Sequence, residues 1–210
     1  MCPVCYAVNG YRPAVSRARH RSRPAVALTG AALIARASGA GVAVAGAWLD
    51  LGLGSLPHAC ALVLYGPPGS GKSTLAVALA AGWPAPSVVL SYEMGTGHAL
   101  VEIARRQEAY AVVFASVGSF TEAVEVIEAG YDLVVVDSVQ ASDVDAADWV
   151  YEVVPRGRAL LLTSQVNAAG EVRGGLAASH VADVVIELPE YGRFEVHKNR
   201  FGPLAAGRWA

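Results

Sequence analysis

Cysteine is scarce in this sequence, which has only Cys2, Cys5 and Cys60. A low and odd count argues against a disulfide framework and is typical of a reducing compartment, so we expect a cytoplasmic protein. Cys2 and Cys5 form a C-x-x-C pair, but two thiolates cannot complete the tetrahedral shell of a structural zinc ion. A zinc site would need further ligands, such as His20 or Cys60, and we do not expect one.

Charge is sparse too, at 16% of residues against 54% apolar ones, which suits a parallel sheet whose strands are buried on both faces. Acidic residues are absent from residues 1–49, which carry six arginines, whereas residues 50–210 carry all 18 acids. A basic arm on an acidic domain favours an anionic partner such as nucleic acid. A solvated leader that touches nothing would have the same composition.

A long uninterrupted apolar run is also missing. Val26–Trp48 comes nearest, but Arg36, Ser38 and several glycines interrupt it. We therefore expect no membrane span and no signal peptide, and interpret Ala25–Ser38 as a helix. The predicted organisation is a basic arm over residues 1–25 and one domain over residues 26–210.

Apolar strands and helical segments alternate along the rest of the chain. Strands are predicted at Ala61–Tyr65, Ser87–Ser91, Val112–Ala115, Asp132–Val136, Ala159–Thr163, Asp183–Leu188 and Arg193–His197. Helices are predicted at Lys72–Ala81, Gly97–Glu108 and Ser142–Val154, and another begins at Ser119 with the capping box Ser119-x-x-Glu122. This pattern predicts an α/β fold with a mainly parallel central sheet, flanking helices and a C-terminal β-hairpin.

A phosphate-binding loop lies between the first of these strands and its helix. Residues 66–73 read GPPGSGKS and satisfy G-x-x-x-x-G-K-[ST]. The glycines let backbone N–H groups surround phosphates, and the following helix adds the positive end of its dipole. Lys72 would reach the β- and γ-phosphates of ATP, and Ser73 would bind Mg²⁺. The predicted nucleotide site comprises Gly66, Pro67, Pro68, Gly69, Ser70, Gly71, Lys72, Ser73, Thr74 and Asp137.

Polar side chains follow three of the predicted strands. Asp137 ends an apolar run, where it would hold Mg²⁺ at the carboxyl edge of the sheet, or simply cap a turn. Glu93 would polarise the attacking water, or lie solvated in its turn. Gln165 would sense the γ-phosphate with its amide, although Ser164-Gln165 is also ordinary loop chemistry.

Together with the loop, four further segments resemble the bacterial RadA/Sms ATPases, relatives of RecA that drive branch migration of recombination intermediates. They are Tyr92-Glu93, Val135–Gln140, His180-x-x-Asp183 and the family's own signature Lys198-Asn199-Arg200-Phe201-Gly202, and the similarity covers roughly residues 50–203.

The resemblance implies a RecA-like fold, DNA-dependent ATP hydrolysis with Mg²⁺, a homo-oligomer in the form of a hexameric ring, and single-stranded or branched DNA as partner. It also implies that Lys198 and Arg200, which strand alternation would place on one face, reach the γ-phosphate held by the next subunit.

The sequence also departs from that family. Only half of its four-cysteine zinc finger is present, its Lon-protease-like domain is absent, and Arg173 is the only base between Gln165 and His180. Two other functions therefore stay open: a nucleotide-binding interaction module without motor activity, and a P-loop small-molecule kinase. DNA-stimulated turnover would favour the first reading over the module, and phosphate transfer to a nucleoside or sugar would reveal the kinase.

Overall fold

The computed structural model describes residues 41–166 and 176–209. The predicted helix Ala25–Ser38, the arm with Cys2 and Cys5, and Arg173 lie outside these residues. Within them, no helix is both long enough and apolar enough to cross a membrane.

Eight strands form one sheet, and two short strands form a separate antiparallel pair. The pair is β1 (Val42–Ala43) and β2 (Ser55–Leu56); the sheet contains β3 (Ala61–Gly66), β4 (Ser87–Ser91), β5 (Val113–Ser116), β6 (Leu133–Asp137), β7 (Ala159–Gln165), β8 (Val184–Glu187), β9 (Arg193–Asn199) and β10 (Ala206–Arg208). Their order is β5-β4-β6-β7-β3-β8-β9-β10. The first six strands in this order are parallel, and β9 and β10 are antiparallel additions, so the α/β prediction with its C-terminal hairpin is confirmed.

The helices connect these strands. They are α1 (Ala47–Asp50), α2 (Lys72–Ala81), α3 (His98–Arg106), α4 (Phe120–Ile127), α5 (Ala146–Val153) and α6 (Leu176–Val181), with 3₁₀ turns at Val139–Ala141 and Val154–Arg156. Ser119 caps α4 as predicted, by accepting the Glu122 N–H at 3.2 Å. The Glu122 carboxylate, however, accepts from Gly118 N–H at 2.8 Å, one residue before the predicted partner. Helix α5 begins later than predicted because Asp145 caps it.

Alternate strand residues face two separate apolar cores, one on each side of the sheet. Leu62 and Leu64 belong to the core that contains Trp48 and Leu75, whereas Val63 belongs to the core around Trp149. The indole N–H of Trp48 donates to Leu79 O at 2.6 Å, which joins α1 to α2. Burial on both faces explains why these strands are continuously apolar rather than alternating.

The parallel arrangement brings four strand ends to one edge of the sheet. Gly66 pairs with Gln165 across β3 and β7, and Ser91 pairs with Asp137 across β4 and β6. The loops after these strands therefore meet at the carboxyl edge, where ligands bind in open α/β sheets.

Candidate active site

The loop after β3 has a backbone that only glycine allows at several positions. Gly69 and Gly71 have φ of 79° and 89°, in the left-handed region. Gly66 is extended, but a Cβ there would lie 2.2 Å from Leu188 O and 2.8 Å from Ser70 Oγ. The predicted curled loop is thus present, and it packs directly against the end of the β8 segment.

Lys72 is the first residue of α2, so its backbone lies at the positive end of the helix dipole. Its ammonium group donates to Gly66 O at 3.0 Å and Pro67 O at 2.7 Å, and lies 3.5 Å from Ser70 Oγ. Partial burial lowers the pKa of Lys72, while the negative charges of Asp137 and Glu93 oppose that shift. Lys72, Asp137 and Glu93 are therefore close enough to interact electrostatically.

Asp137 is the last residue of β6 and is only 3% exposed. Its Oδ1 accepts two hydroxyl hydrogen bonds, from Ser73 at 3.0 Å and from Thr163 at 2.8 Å. Burial raises the pKa of Asp137, and the two hydroxyl donors and the Lys72 charge partly offset this. The predicted pair of Ser73 and Asp137 is thus in direct contact.

Thr163 escaped the sequence reasoning, although it lies on β7 next to the strand that ends in Asp137. Its hydroxyl donates to Asp137 and also accepts the Ser138 N–H at 2.7 Å. Ser138 has a φ of 69°, a left-handed conformation that costs a residue with a Cβ about 1–2 kcal/mol. Thr163 therefore holds both the carboxylate and the strained turn that follows it, and such strain is typical of functional sites.

Glu93 lies in the loop after β4 and is exposed. Its Oε1 accepts from Gln140 Nε2 at 3.2 Å, and Gln140 belongs to the 3₁₀ turn that follows Asp137. The two acidic residues predicted for the site are thus linked through neighbouring segments. Gln165, half-buried, ends β7 beside Gly66, where the loop begins.

An aromatic pair that sequence reasoning missed packs on the other side of the loop. The rings of Tyr191 and Trp209 lie 5.3 Å apart, centroid to centroid. A Cβ on Gly71 would be 2.9 Å from an atom of each ring. Tyr191 comes from the β8–β9 turn and Trp209 follows β10, so the C-terminal hairpin covers the start of α2.

Lys198 and Arg200 lie at the opposite edge of the sheet. Strand β9 runs antiparallel, and its Asn199 pairs with Val184, which in turn pairs with Leu62 near the start of β3. Four residues of β3 separate Leu62 from Gly66, about 13 Å at the rise of a strand. The two basic residues are thus not part of the phosphate site of their own chain.

Both basic side chains also have partners within the chain. The Lys198 ammonium donates to Ser179 O at 2.9 Å, to His180 O at 3.2 Å and to Ala182 O, around the end of α6. Arg200 Nη1 contacts Asp183 Oδ1 at 2.9 Å. The expectation that strand alternation places the two on one face is wrong for Arg200, because β9 ends at Asn199.

Comparisons with known proteins agree with this geometry. Residues 58–159 match the family model described as AAA domain. Among solved structures, the ATPase domain of a helicase superposes with a TM-score of 0.61 at 12% identity, covering 83% of this chain and 89% of that one. This chain has the RecA-like P-loop ATPase fold.

A second structure with the RecA-like fold is the flagellar accessory protein FlaH from Methanocaldococcus jannaschii, with a TM-score of 0.59 at 17% identity, covering 80% of this chain and 92% of that chain. No curated protein matches the sequence. The comparisons therefore give a P-loop ATPase domain of AAA and RecA-like character, and they do not single out the RadA/Sms family.

Proposed function

We propose that this protein binds ATP with Mg²⁺ and hydrolyses it. The observation that carries the proposal is the contact between Ser73 Oγ and Asp137 Oδ1 at 3.0 Å, beside the Lys72 ammonium group. A hydroxyl and a carboxylate oxygen at the start of a helix are ligands that suit Mg²⁺, and Gly66 leaves no room for a side chain where the loop must curl. Bound Mg²⁺ would neutralise charge on the phosphates.

Each residue of this edge then has a separate task. Backbone N–H groups of residues 66–74 bind the phosphates, and Lys72 exchanges its carbonyl partners for phosphate oxygens. Glu93 accepts the proton of the attacking water, with its carboxylate oriented by the Gln140 amide. Gln165, at the end of β7, contacts the γ-phosphate with its amide.

Action on DNA in recombination or repair is the finer part of the proposal. Its support is the motif set of residues 135–140 and 198–202 and the fold shared with the ATPase domain of a helicase. The decisive experiment is the ATPase rate with and without single-stranded DNA. Stimulation of several-fold supports a DNA-dependent ATPase, whereas turnover indifferent to DNA favours the nucleotide-binding interaction module.

Lys198 and Arg200 would act in such an enzyme on the ATP of a neighbouring subunit in a hexameric ring. Both would first have to leave the partners that hold them in a single chain, the α6 carbonyls and Asp183. Mixing Lys72→Ala with Lys198→Ala subunits tests this, because some interfaces regain both halves of the site. Activity above the sum of the two variants supports the shared site, and its absence despite subunit exchange leaves Lys198 with a structural role.

A further inference from the structure

A second group of ligand-type side chains lies on the β8–β9 hairpin, outside the residues assigned to the phosphate site. It consists of Glu187 on β8 with Glu195 and His197 on β9, and one ligand atom of each lies within 4.8 Å of the other two. Residues 194 and 196, which alternate with the β9 pair, are buried in a core. Glu195 and His197 therefore share the opposite face of β9.

The charges on this face are poorly balanced. Glu187 and Glu195 are direct partners in the antiparallel register, an arrangement in which like charges destabilise a sheet. Tyr65 donates to Glu187 at 3.2 Å, and Arg193 lies 3.3 Å from Glu195, half-exposed. Burial, and next the charge of Glu187, raise the pKa of Tyr65 to about 12, consistent with a negative potential at this surface.

His197 turns the acidic pair into a mixed donor set. Its Nε2 lies 2.7 Å from Glu187 Oε2, and its ring stacks on Tyr65 with centroids 6.2 Å apart. These contacts aim the imidazole nitrogen at the carboxylates. Ligand atoms around a zinc ion with bonds near 2.0–2.1 Å lie about 3.3 Å apart, so the His197–Glu187 contact needs to open by only about half an ångström.

We propose that Glu187, Glu195 and His197 bind a first-row divalent cation of the Zn²⁺ type. One imidazole with two carboxylates suits Zn²⁺, Mn²⁺ or Co²⁺, whereas Mg²⁺ and Ca²⁺ prefer oxygen ligands alone. A cation here relieves the repulsion between the paired glutamates and ties β8 to β9. Three protein ligands on a solvent-accessible face leave further positions to water.

The test uses the full chain with Cys2→Ser and Cys5→Ser, so that N-terminal thiolates cannot bind the probe. Nucleotide-free protein is titrated with Zn²⁺ against a chromophoric chelator. We expect one equivalent to bind, and His197→Ala to weaken binding by at least about tenfold, as loss of a ligand does. Glu195→Gln, which keeps the shape of the side chain, should weaken it similarly. His98→Ala, at an exposed histidine at the start of α3, is the matched control.

Two further readouts separate this site from others. Zn²⁺ should raise the Tm of the parent protein and leave the Tm of His197→Ala unchanged. Co²⁺ should give weak visible bands without the intense thiolate band of a cysteine site. Failure to bind one equivalent, or binding equally tight in His197→Ala and Glu195→Gln, overturns the proposal. None of these measurements depends on ATP turnover, so the proposal stands or falls apart from the proposed ATPase activity.

Discussion

The two lysines of this chain sit at opposite edges of one sheet, in similar surroundings and with different prospects. Lys72 and Lys198 each donate to backbone carbonyls. The carbonyls around Lys72 belong to a loop whose N–H groups can take phosphate in their place. Those around Lys198 belong to the end of α6, where the negative end of the helix dipole favours a cation and repels an anion. Similar contacts therefore predict a ligand site at one edge and a helix cap at the other.

Removing each lysine gives the largest contrast. Lys72→Ala should lower ATP turnover by at least about 100-fold, the scale on which loss of one transition-state donor acts, and should weaken nucleotide binding. Lys198→Ala should keep nucleotide affinity but lose about 1 kcal/mol of unfolding free energy, through lost charge-assisted hydrogen bonds. Nucleotide titration and thermal unfolding of both proteins check this. Unchanged affinity and turnover in Lys72→Ala would rule out the assigned site.

Glu93→Gln sharpens the chemistry assigned to the carboxyl edge. The amide keeps the size of the side chain but cannot accept a proton, so turnover should fall on the order of 10²-fold while ATP-Mg²⁺ still binds. Single-turnover hydrolysis and equilibrium binding separate the two effects. Glu125→Gln, at an exposed position of α4, is the control and should behave as the parent does. Near-normal hydrolysis by Glu93→Gln would assign proton transfer to another group.

Two glycines in the loop separate backbone strain from packing. Gly69→Ala meets no atom within 4 Å and bears only the cost of a positive φ, about 1–2 kcal/mol. Gly71→Ala bears the same cost and also collides with the Tyr191 and Trp209 rings, which adds about 1–3 kcal/mol of overpacking. Denaturant unfolding should therefore rank Gly71→Ala as the less stable protein. Equal losses would mean that the aromatic pair yields freely.

Asp137→Asn should have the smallest effect on stability, and of the opposite sign. Burial raises the folded-state pKa of Asp137 above its usual 3.8, so the nucleotide-free protein loses stability as pH rises above that value. The amide still accepts from Ser73 and Thr163 without that loss, so the Tm near pH 7 should rise while ATP-Mg²⁺ binding falls. Asp132→Asn, just before the same strand, is the control. A lower Tm for Asp137→Asn across the pH range would refute this.

How much of this was readable in the sequence depends on how local each feature is. The loop of residues 66–73 and the strand ending at Asp137 follow from short patterns, and parallel strands bring such ends together. Thr163 beside Asp137 depends on the order of the strands, which no local pattern gives. The position of Lys198 was accessible, because the second strand of a hairpin returns to the edge where the first began.

The packing of Trp209 on Gly71 also gives the molecule a built-in optical reporter. Its four tryptophans are Trp48, Trp83, Trp149 and Trp209, and the first three belong to the two cores. Trp209 alone adjoins the phosphate loop, where its indole lies against the Tyr191 ring. With Trp48, Trp83 and Trp149 changed to phenylalanine, the remaining emission would follow occupancy of the loop in real time, without a label on either the protein or the nucleotide.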